Sequence, residues 1–210
     1  MPESLDDLTR RARACRICVE QPIGMPLPHE PRPVLLPSAQ ARILIASQAP
    51  GTKVHLSGMP FTDASGDRLR SWLGVTREEF YDRKNFAIVP MGFCFPGQDS
   101  RGADLPPRRE CAPAWRAPLI AAMPQIELVL TIGLYAQAWH MRDTRGRSLT
   151  ETVMNWRRIF AAPTVPVVLP LPHPSWRNTG WLKKNPWFEM DLLPFLKTEI
   201  RRRLTATASK

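Results

Sequence analysis

The chain has 210 residues, 43% of them hydrophobic and 23% charged, with a formal net charge of +10. That length buries a substantial core without disulfide or metal staples, and the composition excludes a fibrous or disordered chain; one domain spanning 1–210 is expected. No stretch approaches the roughly 18 apolar residues of a membrane span, and the mixed-charge start MPESLDDLTRRARACRIC lacks a signal peptide's apolar segment, so a cytoplasmic protein without membrane contact is expected.

In chain order, RILIAS (Arg42–Ser47) predicts a buried strand stopped by APG. DASGDRLRSWLG (Asp63–Gly74) predicts a helix with an Asp/Ser start and a Gly stop. NFAIVPM (Asn85–Met91) reads as a second strand, and ECAPAWRAPLIAAM (Glu110–Met123) as a helix broken up by Pro113 and Pro118. IELVLTIG (Ile126–Gly133) is a third strand continuing into the helix LYAQAWHM, and TETVMNWRRIF (Thr150–Phe160) is a short helix. VPVVLPL (Val165–Leu171) is the fourth strand, and Asn185–Leu204 a Pro-kinked amphipathic helix before a tail, 205–210, expected to fray. Strands alternating with helices imply a three-layer α/β/α fold around a four-stranded parallel sheet.

The unusual residues fall where these strands end. APG (Ala49–Gly51), GFC (Gly92–Cys94), Gly133 and His173 each follow one of the four strands. Open α/β sheets bind ligands beyond their carboxyl ends, so the four features point to one crevice. His173 stands between Pro172 and Pro174, which stiffen the backbone on both sides of one imidazole. A solvent-facing histidine in a loop is the plain alternative. The basic excess is also uneven: residues 176–210 hold eight Lys/Arg against three Asp/Glu, half of the net charge. A concentrated basic segment attracts polyanions, nucleic acid above all, although a solvated helix end would look the same. No Gly-rich phosphate loop of P-loop or Rossmann spacing occurs.

Cys15 and Cys18 form a C-x2-C pair, followed by Cys94 after 75 residues and Cys111 after 16 more. Two thiolates on one turn, completed by two brought in by the fold, suit an iron–sulfur cluster or structural zinc; ordinary burial of Cys94 and Cys111 is the alternative.

These pieces together resemble the uracil-DNA glycosylase superfamily, in particular its bacterial and archaeal iron–sulfur branches. SQAPG (Ser47–Gly51) is similar to the first motif, GEAPG or GLAPA, and GMPF (Gly58–Phe61) to the G-x-PF that follows it. TIGLYA (Thr131–Ala136) resembles the LGATA element, and HPSWRNT (His173–Thr179) the second motif, with an Asn-Thr tail like that of the broad-specificity branch. The cysteine spacing resembles that of the cluster-binding members, which implies a [4Fe-4S] cluster, or zinc, held by Cys15, Cys18, Cys94 and Cys111, with residues 1–40 as the cluster-binding segment.

The resemblance implies base-excision repair: a glycosylase that hydrolyses the N-glycosidic bond of uracil or a related deaminated base flipped from single- or double-stranded DNA, acting as a monomer. His173 would donate to the leaving base, with Gln48 and the main chain at Ala49 near the water and no carboxylate base. Pro60, Phe61, Pro90, Met91 and Gly92 would line the base pocket, with Phe61 as the stacking platform or, alternatively, plain core. Ser175, Trp176, Arg177, Asn178, Lys183 and Lys184 would grip DNA; Trp181 and Trp187 fit core packing equally well. Two positions depart from the family pattern. Ala49 replaces the Asp of the most efficient branch, and Pro90 replaces the Asn whose amide reads the uracil edge, leaving the main chain of Met91, Gly92 or Phe93 as the substitute. These departures motivate the alternative of a non-catalytic damage- or nucleic-acid-binding protein on the same scaffold.

Overall fold

The computed structural model describes residues 3–208. Ser4 caps α1 (Leu5–Arg13) by accepting from the Asp7 N–H at 3.1 Å; acids fill the first turn and arginines the last, matching the helix dipole. One turn, α2 (Ile17–Glu20), carries Cys18. The chain then runs through β1 (Ile43–Ala46), α3 (Thr52–Ser57), α4 (Ala64–Leu73), α5 (Arg77–Tyr81) and β2 (Phe86–Ile88). The second half holds α6 (Cys111–Ala121), β3 (Leu128–Ile132), α7 (Gly133–His140), α8 (Leu149–Met154), α9 (Trp156–Phe160), β4 (Val167–Leu171), α10 (Thr179–Lys184) and α11 (Leu193–Ala208).

The four strands form one parallel sheet in the order β2-β1-β3-β4. The chain builds outward from β1 to β2, then returns to the other side of β1 for β3 and β4, so the strand order reverses between β1 and β3. Parallel strands covered on both faces lack an exposed polar alternation, and all four residues of β1 are buried. Their side chains still alternate: Ile43 and Ile45 join Leu69, Trp72, Trp156, Phe188 and Leu196 in one core layer. Leu44 and Ala46 join Leu8, Trp115 and Leu119 in the other. This is the expected three-layer α/β/α arrangement, with α4, α8, α9 and α11 on one face and α1 and α6 on the other.

Several elements differ from the sequence expectation. α6 is continuous from Cys111 to Ala121. Pro113 sits in the first turn, where an N–H has no intrahelical acceptor, and Pro118 removes a single bond. The helix expected over Thr150–Phe160 divides at Asn155 into α8 and α9. The last helix opens with a π-helical turn, Phe188–Leu192, before α11 runs to Ala208, so the first four residues of the tail expected to fray continue the helix. Residues 209 and 210 lie outside the described residues. Short capped helices went unread: α5 is closed by a capping box in which Thr76 and Glu79 satisfy each other's backbone N–H. No helix among the described residues is long and apolar enough to cross a membrane.

Candidate active site

A cleft of about 590 Å³ opens at the carboxyl edge of the sheet. Its walls come from the segment after β1 (Ser47–Val54), the turn before α4 (Pro60–Ser65), Pro90 after β2 and the His173–Asn178 segment after β4. The sheet brings these segments together from positions more than a hundred residues apart.

His173 is fixed by its own neighbours. Its Nδ1 accepts the Ser175 N–H at 3.2 Å, and its carbonyl accepts from the Asn178 amide at 2.7 Å. Arg68 holds the same segment from α4, donating to the Ser175 carbonyl at 3.0 Å. Gly133, at φ 78°, presents only backbone beside the imidazole: a Cβ there would lie 3.8 Å from that of His173. A backbone N–H donates to Nδ1, so the neutral ring carries its proton on Nε2, where it can be donated. Burial pushes the His173 pKa below the usual histidine value, against the opposing pull of Asp63 and Asp104. Burial therefore favours the neutral ring, with Nε2 as its donor.

Phe61 borders both the cleft and the core, where its ring meets Phe80 edge-on at 6.0 Å. Its φ of 58° lies in the left-handed region, which is costly for a bulky side chain. Two donors hold it there. Arg70 donates to the Phe61 carbonyl at 3.1 Å, and the Tyr81 hydroxyl reaches the Pro60 carbonyl at 2.8 Å and that of Phe61 at 3.1 Å. Gly66 is required by the same turn, since a Cβ at that position would lie 1.8 Å from the Phe61 carbonyl oxygen.

The loops after β1 and β2 are zipped together. Met91 N–H donates to the Ser47 carbonyl at 2.8 Å and Gly92 N–H to that of Gln48 at 2.9 Å. Phe93 N–H donates to Cys111 Sγ at 3.3 Å. The main-chain donors expected to replace the missing Asn at Pro90 are thus already engaged. Gly92 faces Pro107 and Ala49, and buried Met91 lines a neighbouring groove, so neither opens into the cleft. Beneath Pro90, fully buried Arg116 donates to the carbonyls of Val89 and Pro90 at 2.9 and 3.1 Å and pairs with His140.

Of the residues expected to grip DNA, Ser175, Trp176, Arg177 and Asn178 line the cleft. Trp176 is 74% exposed at the rim, with the Arg177 guanidinium 5.7 Å from its ring centroid. The side chain of Asn178 is committed to His173. Lys183 and Lys184 are exposed at the end of α10, outside the cleft lining. Trp181 is core: its indole donates to Thr150 at 2.8 Å and its ring meets that of Trp187 at 5.8 Å. Two carboxylates in the cleft wall were missed. Asp63 read only as a helix cap, which it is, accepting the Gly66 N–H at 3.2 Å. Asp104, bonded to Gln98 at 3.1 Å, carried no sequence signal.

All four cysteines border one small cavity of about 10 Å³. Trp115 donates to Cys15 Sγ at 3.2 Å, so with Phe93 two N–H groups already point at sulfur. Burial raises the pKa of Cys18 and Cys111 and pushes that of Cys94 up to about 12. Among the described residues, no group of three or more His, Cys, Asp or Glu side chains is arranged to hold a metal ion. The all-sulfur donor set, its enclosure and its N–H···S bonds fit a thiolate-held centre in kind.

A doubly wound parallel sheet with a hydrogen-bonded histidine in a cleft beyond its strand ends has the arrangement in which open α/β folds hold ligands. Residues 33–197 match the family described as the Uracil DNA glycosylase superfamily. The chain belongs to that superfamily.

Proposed function

We propose that this protein is a DNA glycosylase that hydrolyses the N-glycosidic bond of uracil or a related deaminated base turned out of DNA. The observation that carries the reading is the backbone N–H seated on His173 Nδ1 in the cleft wall, which leaves Nε2 to carry the proton of a ring that burial biases toward its neutral form. The target bond is inaccessible inside a stacked duplex, so the nucleotide must enter the cleft. Its base stacks on Phe61. The C1′–N bond breaks with both electrons leaving on the base, and His173 Nε2–H donates to the oxygen where negative charge collects. Such a donor is worth about 2.7–4 kcal/mol when placed in advance. Water then adds to C1′, and its released proton is taken up by the base.

The sugar develops positive charge in this step, and Ala49 offers nothing to offset it. Asp63 and Asp104 bring negative charge to the same cleft. Gln48 is the carboxamide left to read the base edge or hold the water, because Asn178 is tied to His173 and Gln98 to Asp104. Trp176 and Arg177 supply an aromatic and a cation to the DNA at the rim. We assign Cys15, Cys18, Cys94 and Cys111 to a [4Fe-4S] cluster, with zinc as the alternative occupant. Its role is to fasten the N-terminal segment to the loops bearing Cys94 and Cys111; colourless, zinc-loaded protein would refute iron.

The engaged main-chain donors around Pro90 favour a second reading, a damage-binding protein without turnover. Both readings meet in one assay: labelled single- and double-stranded oligonucleotides carrying uracil, hypoxanthine or xanthine, with alkaline cleavage of abasic product. Excision by wild type that collapses in His173→Ala supports the enzyme. Intact strands with DNA binding retained in both proteins support the second reading.

A further inference from the structure

A second groove, of about 620 Å³, lies beside the His173 cleft; Pro96 and Leu105 line both, so the two are separated by a shared wall. Its floor is apolar and walled by Pro106, Pro107 and Pro113, residues with no N–H to offer a ligand. Tyr135 and Trp139 of α7 project into it, Tyr135 being 41% exposed. Its outer edge is cationic. Arg109 and Arg142 are exposed, and Arg142 lies 5.6 Å from the Trp139 ring centroid. Arg142 also borders a shallower depression of about 220 Å³ that continues onto Arg145 and Arg147. Among the described residues none of these four arginines forms an ion pair, and Asp143 is the acid within the 142–147 stretch. Arg108, also in the lining, is committed to the Met25 carbonyl and Glu110.

We infer that this groove carries the single-stranded DNA flanking the nucleotide held in the cleft, with bases against Tyr135 and Trp139 and phosphates along Arg109, Arg142 and Arg145. This rests on the glycosylase reading only for the nucleotide in the cleft; the groove has its own chemistry. Flat apolar and aromatic surfaces beside a line of unpaired guanidiniums suit alternating bases and phosphates. The three prolines of the wall present rings and no N–H, which suits a strand bound by stacking and charge, independent of sequence. The groove also adjoins the cleft on one side only. A strand leaving the cleft therefore meets this track in one direction, and the other flank meets none of it.

Fluorescence anisotropy with undamaged oligothymidylates of increasing length tests the inference without requiring catalysis. Affinity should climb at least tenfold once the strand outgrows the cleft. Arg142→Ala/Arg145→Ala, at exposed positions away from the catalytic cleft, should abolish that gain and leave the shortest strands unaffected. The salt slope for long strands should fall by about 1.4, the loss of two single-strand phosphate contacts. In uracil oligonucleotides, extension on one side of the target should improve binding and extension on the other should not. Length-independent affinity, or a salt slope unchanged in the double variant, would overturn the inference, as would tighter binding of an acidic peptide than of oligothymidylate. Length-dependent binding without excision of any base would leave the groove standing and sink the glycosylase reading; excision with length-independent binding would do the reverse.

Discussion

Phe61 is held against its own backbone preference, and loosening that hold should separate its core role from its role in the cleft. A bulky residue at φ 58° is disfavoured by about 1–2 kcal/mol. The Tyr81 hydroxyl, 2.8 Å from the Pro60 carbonyl and 3.1 Å from that of Phe61, offsets a comparable amount, since one buried hydrogen bond contributes about 0.5–1.5 kcal/mol. Tyr81→Phe should therefore lower unfolding stability by about 1 kcal/mol. Among the described residues it leaves Arg70 as the only donor to the Phe61 carbonyl. Base stacking is worth about 1–3 kcal/mol, so losing about 1 kcal/mol of it lowers kcat/KM for excision roughly fivefold. Gly66→Ala is the stronger perturbation: its Cβ would meet the Phe61 carbonyl oxygen at 1.8 Å, a backbone clash that no rotamer relieves. Excision should fall at least tenfold beyond the Tyr81→Phe loss. Urea unfolding and single-turnover excision on one oligonucleotide read both quantities. If Gly66→Ala kept wild-type stability and wild-type excision, the geometry argued for this turn would be wrong. Stability lost with excision unchanged in both variants would make Phe61 a core residue only.

Burial and the Arg116 guanidinium hold His140 at a pKa of about 3, against 6.5 for a free histidine. A depressed pKa contributes stability that is complete above about pH 6.5 and is lost as the pH falls towards 3, at most about 4–5 kcal/mol at 1.36 kcal/mol per unit. Urea midpoints should fall from pH 7 to pH 4, and His140→Gln should flatten that slope. Arg116→Leu leaves the carbonyls of Val89 and Pro90 unpaired in the interior, which should cost about 2–4 kcal/mol in the same unfolding assay. In anisotropy titrations with double-stranded DNA, Trp176→Ala should weaken binding about tenfold, the scale of a lost base–aromatic stack, while Lys183→Ala/Lys184→Ala should change it less than threefold.

The layer architecture was legible because fully buried parallel strands write themselves as short apolar runs: ILIA, FAI and LVLTI stand out between turn residues. The short helices were not, because a capped turn such as Arg77–Tyr81 owes its form to the Thr76–Glu79 exchange and not to periodicity. In the cleft, His173 was legible from its two prolines and its place after a strand. Asp63 was legible only as a cap, since nothing local says that its other face looks into a crevice. The engagement of Met91, Gly92 and Phe93 was not readable at all: it depends on how two loops distant in the chain are zipped by the sheet. Asn178 matched a DNA-contact pattern, yet its amide turns back to the carbonyl of His173 five residues earlier.

The proposed chemistry depends on one proton. Histidine side-chain ¹⁵N–¹H spectra of the folded protein, with His173→Ala to assign the resonance, report the tautomer and titration of His173 directly. At neutral pH the ring should be neutral, with hydrogen on Nε2 and an unprotonated, hydrogen-bonded Nδ1, and it should titrate below 6.5, the reference value for histidine. A ring that is doubly protonated at pH 7, or that carries its hydrogen on Nδ1, would remove the donor from the leaving base and contradict the proposed chemistry.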